Sequence, residues 1–96
     1  MAKFLIEVSH EPEKTACLRA VEVFLKSGSH YLTNADWGCR DGDHRAWIMI
    51  EANSKEDARS VLPTAYRPQA RVVGLNKFSL DEIEENLRHH GTPMTS

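Results

Sequence analysis

The sequence has few of the features that mark a specialised class of protein. Its only cysteines, Cys17 and Cys39, form no Cys-x-x-Cys pair, so we expect free thiols and no disulfide framework. No apolar run approaches the roughly 20 residues of a membrane span. The initial residues pass directly into a strand-like segment and do not show the pattern of a secretory signal peptide. Twelve basic and fourteen acidic residues are interspersed without a basic stripe. We therefore expect a cytoplasmic protein that has neither nucleic acid nor membrane as a partner.

What is present is the composition of a small globular domain. Of the 96 residues, 41% are hydrophobic and 27% are charged, which is enough apolar material for one core but leaves a small margin of stability. We predict a single domain over residues 1–90 and a flexible C-terminal tail over residues 91–96. A chain of this size gains stability from association, which favours an oligomer.

Alternating apolar residues predict strands over residues 3–9, 31–39, 44–51 and 70–77. Helical spacing predicts amphipathic helices that begin near Pro12, Ser54 and Ser79, with N-caps at the two serines. Phe24 and Leu25 are predicted to lie on the core-facing stripe of the first of these helices. Between the second and third strands, Asp-Gly at positions 41 and 42 predicts a two-residue hairpin turn. That turn would place Cys39 opposite His44 and Trp37 opposite Ala46. Gly74 is predicted to mark a bulge.

The order strand, helix, strand, strand, helix, strand and final helix predicts an α+β fold, a ferredoxin-like βαββαβ sandwich with an additional C-terminal helix. Right-handed crossovers place the first and third strands at the centre of the sheet. The helices then cover one face only, and Leu5, Trp47 and Met49 make the open face too apolar for a monomer. We therefore predict a homodimer in which the open faces meet.

Four features of the layout carry a resemblance to a known group: the apolar strand that ends at Glu51, the short helix from Ser54, the stop at Leu62-Pro63 and the final strand to Leu75. The chain in this respect resembles the dimeric α+β-barrel group, which includes the muconolactone isomerase-like and YciI-like proteins. The resemblance covers most of the chain and implies a homodimer. It also implies an enclosed cleft for small-molecule isomerisation, oxygenation or dehalogenation, or, in some small proteins of similar layout, transition-metal binding.

The first candidate site is a ligand pocket on the open sheet face. Carboxylates beside an apolar wall can move protons, and an arginine can hold an anionic substrate. On this interpretation Asp36, Arg45 and Glu7 are the catalytic candidates of an isomerase- or oxygenase-like enzyme. Arg45 paired with Asp36, Glu7 in solvent, or dimer contacts would explain the same residues without catalysis. The predicted ligand-binding residues are Glu7, Asn34, Asp36, Arg45 and Trp47, with Glu51 on the same face.

The second candidate is a metal site built on Cys39 and His44. A thiolate and an imidazole are ligands for zinc, nickel or copper. His30, and either Asp41 or Asp43, are further candidates for the ligand set. A hairpin tip with a free thiol explains the same pair without a metal. His10 is interpreted as an exposed loop histidine, with a residue at a cleft mouth or a general base as the alternatives, and Cys17 is interpreted as a core residue. A third alternative is a non-catalytic structural or partner-binding dimer.

Overall fold

The computed structural model describes residues 1–89 and shows an α+β fold. Two single turns of 3-10 helix, Cys39–Asp41 and Thr64–Tyr66, lie in the connections. The tail predicted at residues 91–96 and the last residue of the predicted domain lie outside the described residues. The elements in chain order are β1 (Ala2–Ser9), α1 (Lys14–Lys26), α2 (His30–Thr33), β2 (Asp36–Trp37), β3 (Arg45–Ala52), α3 (Lys55–Arg59), β4 (Ala70–Leu75) and α4 (Leu80–His89).

The four strands form one antiparallel sheet in the order β2-β3-β1-β4. The two longest strands, β1 and β3, lie at its centre, and Ile6 is paired with Ile48 on one side and Val72 on the other. The α+β class predicted from the sequence is confirmed, and this arrangement is compatible with a ferredoxin-like layout.

The core lies between one face of the sheet and the helices. Alternate side chains of the central strands point into it because successive residues of a strand face opposite sides. From α1, Ala20 and Phe24 enter the core one turn apart, and the Phe24 ring lies 5.0 Å from Trp37 and 5.5 Å from Tyr66 between centroids. The other buried apolar residues are Phe4, Ile6, Val8, Leu32, Ala46, Ile48, Ile50, Ala52, Ala58, Leu62 and Val72.

Both helix starts predicted at serines are confirmed by side-chain caps. The Asp57 backbone N–H donates to Ser54 Oγ at 3.1 Å, and the Glu82 N–H donates to Ser79 Oγ at 3.1 Å. These bonds satisfy N–H groups that the first turn of a helix leaves without partners. Acidic residues follow each cap in the first turn, where the helix dipole favours them.

The strand predicted over residues 31–39 is wrong. Its first part is the short helix α2, in which Ser29 Oγ accepts from the Leu32 N–H at 3.3 Å and the Asn34 side chain donates to the His30 carbonyl at 2.7 Å. Burial of Leu32 in the core stabilises the turn further. Only the two residues of β2 remain as strand, although the predicted pairing of Trp37 with Ala46 is confirmed.

The two-residue Asp-Gly turn is also wrong. After β2 the chain makes a 3-10 turn, and the Gly38 carbonyl accepts from the N–H groups of Asp41 and Asp43, both at 3.0 Å. Of the two turn residues, only Gly42 takes a left-handed conformation, with φ of +86°. The connection is therefore a wider loop over residues 38–44, which we call the site loop.

Two smaller predictions about packing are also corrected. The register of β1 and β4 runs without a bulge through Gly74, which lies opposite Phe4; the Phe4 ring passes 3.6 Å from the position a Cβ of Gly74 would take, so it covers the gap left by the missing side chain. Leu25, predicted on the core stripe of α1, is 56% exposed. It lies about 100° around the helix from Phe24, whose side chain fills the core.

The last helix, α4, has no buried residue, and Phe78 and Leu80 at its start are 68% and 72% exposed. The radius of gyration is 17.7 Å and the longest dimension is 54 Å, whereas a compact chain of this length has a radius near 13 Å. The structure is therefore extended. None of the helices in the described part of the chain is long and apolar enough to cross a membrane.

Candidate metal centre

The candidate site lies where the end of β1 meets the site loop. Residue 10 follows β1 directly, and its backbone N–H donates to the His44 carbonyl at 3.1 Å, which continues the β1–β3 pairing past Ser9 and Arg45. The antiparallel ladder thereby fixes His10 beside His44. The 3-10 turn of the site loop then brings Cys39 to the same point.

Three side chains converge there, and all three are half-buried. His10 Nε2 lies 3.1 Å from Cys39 Sγ. One donor atom from each of His10, Cys39 and His44 lies within 4.8 Å of the other two. We call these three residues the His-Cys-His cluster. Among the described residues it is the one group of three or more His, Cys, Asp or Glu side chains this close together.

The hydrogen bonds of His10 select which of its nitrogens faces the cluster. Its Nδ1 lies 3.0 Å from the Glu11 carbonyl oxygen. Because a carbonyl can only accept, this contact assigns the proton to Nδ1 and leaves the lone pair on Nε2, toward the Cys39 thiol. A histidine that binds a metal usually has its other ring N–H bonded to a carbonyl or carboxylate in this way. His10 is therefore oriented as a metal ligand would be.

His44 contributes a ring with an unsatisfied nitrogen. Its Nδ1 is buried and has no hydrogen-bond partner within the described residues. The ring packs edge-on against that of His10, with centroids 5.8 Å apart. A buried polar atom without a partner costs roughly 1–3 kcal/mol, and such atoms are uncommon in native structures. A cation bound by the ring is one way to remove this cost.

The environment of Cys39 favours the neutral thiol when no cation is present. Partial burial raises the pKa of the Cys39 thiol to about 11, with smaller contributions from a hydrogen bond with Cys17, the charge of Cys17 and the charge of Asp43. At neutral pH the thiol is therefore protonated, and it can share its proton with His10 Nε2. A metal that binds here must displace that proton, and the negative charge of Asp43 then favours the cation.

The distances fit a transition-metal ion. With bonds of about 2.0–2.1 Å to nitrogen and about 2.3 Å to sulfur, tetrahedral donors lie roughly 3.5 Å apart. The observed spacing, from 3.1 Å to no more than 4.8 Å, brackets this value, so small side-chain movements suffice. Two imidazoles and one thiolate suit zinc, copper or nickel, whereas magnesium and calcium prefer oxygen ligands.

The structure brings together Cys39 and His44, although through a wider loop than the predicted turn. His30 lies apart on α2, where its ring contacts Tyr31 and the Asn34 side chain. Asp43 is outside the cluster and forms an ion pair with Arg45 at 3.4 Å. Sequence reasoning did not place His10 beside Cys39 and His44. The signal that could have found it is the β1–β3 register, which places the residue after Ser9 opposite position 44.

The residues predicted for the open sheet face separate into two groups. Glu7 accepts a hydrogen bond from the Trp47 indole at 3.1 Å and lies 3.8 Å from the Arg45 guanidinium, so both of its oxygens are engaged. Asn34 and Asp36 instead line a depression of about 240 Å³, next to Met49. The ligand pocket remains a prediction.

A glycine at the start of the site loop is required by its close surroundings. A Cβ on Gly38 would lie 2.7 Å from the Asp43 carbonyl oxygen and 2.9 Å from the Trp47 ring, which is closer than real Cβ atoms come. The Gly38 N–H also donates to the Arg45 carbonyl at 3.0 Å. The loop that carries two members of the His-Cys-His cluster therefore depends on the missing side chain.

We expect Gly38→Ala to distort the site loop and to lower zinc affinity at least tenfold, because Cys39 and His44 no longer meet His10 in the same geometry. Chelator competition measures the affinity, and Gly42→Ala is the matched control. Gly42 has open space around it, so its replacement causes no clash and costs about 1–2 kcal/mol through the positive φ alone. Equal zinc affinity in the Gly38 variant and the wild type would contradict this account of the loop.

Comparison with known proteins gives no match: no protein-family model matches the chain, and no curated protein or solved structure shows significant similarity to it.

Proposed function

We propose that the protein binds one transition-metal ion through His10, Cys39 and His44. The observation that carries the proposal is the convergence of their three donor atoms within 4.8 Å at the end of β1. The His10 Nδ1 contact with the Glu11 carbonyl and the unpaired, buried Nδ1 of His44 support it independently. Zinc and copper are the favoured metals because both accept imidazole and thiolate ligands, and nickel is the third candidate.

The proposal is tested by counting bound metal. Untagged protein is stripped with a chelator, offered zinc, copper or nickel in turn, and examined by native mass spectrometry. We expect one zinc or copper ion per chain. A triple variant, His10→Ala with Cys39→Ala and His44→Ala, is expected to retain none, while its circular dichroism spectrum reports whether it folds. Equal metal content in a folded triple variant would refute the proposal.

Metal affinity is expected to rise with pH. The raised pKa of Cys39, about 11, keeps the thiol protonated across pH 7–8.5, so binding of the thiolate releases a proton. Affinity then increases by about tenfold per pH unit for each thiolate ligand. Zinc titrations against a chelator of known proton affinity, at pH 7.0, 7.75 and 8.5, measure the slope. An affinity that does not change over this range would exclude a thiolate ligand.

We further propose that the chain forms a homodimer of the dimeric α+β-barrel kind, with the open sheet faces packed together. On this face Leu5, Trp47 and Met49 lie side by side in neighbouring strands, and Met49 is 53% exposed. A contiguous apolar surface of this type is typical of an interface. The exposed apolar residues of α4 provide a second surface that a partner copy could cover.

Met49→Lys is expected to weaken the dimer at least tenfold, because the interface would have to bury a charge in place of an apolar side chain. Sedimentation equilibrium measures the association constant. Leu25→Lys, which puts the same charge at a comparably exposed site on α1, is expected to leave association unchanged. If the wild-type protein stayed monomeric even at 100 times the concentration used for sedimentation equilibrium, this result would contradict the proposed assembly.

A further inference from the structure

A second thiol lies beside the His-Cys-His cluster. Cys17 is half-buried in the first turn of α1, where its N–H donates to the Glu13 carbonyl at 3.0 Å. Its thiol contributes to the raised pKa of the neighbouring Cys39 thiol, although Cys17 lies outside the group of three donors that are all within 4.8 Å of one another. Cys17, Cys39 and His44 also line one cavity of about 730 Å³ between α1 and the site loop. The sequence predicted that Cys17 packs in the core. The structure shows that it is only half-buried and lines this cavity.

Three protein ligands leave a tetrahedral ion one position short. If a fourth protein donor occupies that position, the site is closed; if none does, the position is open to solvent or substrate. Cys17 approaches from α1, whereas His10 comes from the end of β1 and the other two ligands come from the site loop. It therefore adds a donor from an element that the other three do not use.

We propose that Cys17 is the fourth ligand, so that the chain holds its metal in a closed Cys₂His₂ site of the class that binds zinc. This inference rests on the proposed function and extends it. Two thiolates and two imidazoles match the soft and borderline ligands that zinc and copper(I) prefer. A closed set leaves no open position on the metal, so the ion serves to stabilise the fold or is itself the cargo, and it does not activate a substrate.

A closed site would also join the first turn of α1 to the end of β1 and to the site loop, which are already linked to each other by the backbone hydrogen bond between His10 and His44. Because the unfolded chain does not present these donors together, binding stabilises the folded state according to the ratio of metal concentration to dissociation constant. Zinc is therefore expected to raise the melting temperature of the full chain, and less so for a variant without Cys17.

X-ray absorption spectroscopy at the zinc edge of the zinc-loaded full chain tests the inference directly. We expect two sulfur atoms at about 2.3 Å and two nitrogen atoms at about 2.0–2.1 Å from the metal. One sulfur with two nitrogens and an oxygen would overturn the role of Cys17 and leave the proposed function intact. Zinc without any sulfur ligand would refute the proposed function itself.

A substitution supplies the second readout. Cys17→Ser keeps the size of the side chain but replaces the thiolate by a poor ligand, so we expect the sulfur count to fall from two to one and zinc affinity to fall at least tenfold. Leu18→Ser is the matched control, because Leu18 is 59% exposed on the same helix and lines the same cavity. Wild-type affinity and an unchanged sulfur count in Cys17→Ser would overturn the inference.

Discussion

Cys39→Ala is expected to lower zinc affinity at least 100-fold, the largest effect of any single substitution at the site. The thiolate is the ligand with the strongest bond to a borderline-soft metal, and the Cys39 Sγ lies 3.1 Å from His10 Nε2. Its loss removes a bond outright, whereas the loss of a residue that merely orients a ligand typically costs 10–100-fold. Competition with a chelator of known affinity, at fixed pH, measures the difference.

His30→Ala is the control for that experiment. His30 is a histidine that the sequence also suggested as a ligand, but its ring lies against Tyr31 on α2 and it is not part of the cluster. We expect its replacement to change zinc affinity less than twofold. If His30→Ala lost as much affinity as Cys39→Ala, the metal would be bound elsewhere than at the end of β1.

Phe24→Ala is expected to cost about 3–5 kcal/mol of the free energy of unfolding, as truncation of a buried phenylalanine usually does. Phe24 is 1% exposed and its ring contacts both Trp37 and Tyr66, so the cavity would lie between α1, β2 and the turn before β4. This is a large share of the 5–15 kcal/mol that holds a typical domain together. Urea unfolding of metal-free protein, followed by circular dichroism, measures the loss.

Leu25→Ala provides a matched comparison because the sequence pattern assigned both neighbours to the core. Leu25 is 56% exposed, so its truncation is expected to cost no more than about 0.5 kcal/mol, within the range for surface substitutions. Equal losses for the two variants would mean that α1 packs on the sheet with a different face from the one described.

Much of the fold follows from local patterns. Alternation identified the two central strands because Phe4, Ile6 and Val8 face the core while their neighbours do not. The serines that cap α3 and α4 were recognisable for a similarly local reason, since a side-chain oxygen needs only the N–H three residues on. Both signals depend on residues close together in the chain, which is why they could be read without the structure.

The segment after α1 was mispredicted because its local signals conflict. Tyr31 and Thr33 favour strand, but Ser29 caps a helical turn and Leu32 is buried only when that turn forms. The residue propensities favour a strand, but the packing of Leu32 in the core stabilises the helix. The same competition shortened β2 and widened the site loop, so Asp41 and Gly42 do not form a two-residue hairpin turn.

The candidate site shows a similar division. Cys39 and His44 were found because only four residues, including a glycine, separate them in the sequence. The proximity of His10 and Cys17 to this pair was not predicted, since each approaches it through tertiary structure: His10 through the β1–β3 register, and Cys17 through the cavity between α1 and the site loop. The sequence favoured an exposed histidine and a core cysteine.

The most direct test of the account is the position of the metal itself. Crystals of the untagged protein grown with one equivalent of zinc, and measured on both sides of the zinc absorption edge, locate the ion by anomalous scattering. The account predicts a peak about 2.0–2.3 Å from donor atoms of His10, Cys39 and His44. A folded protein with no peak there, or with its zinc only at an exposed site such as His89 beside Glu85, would contradict it.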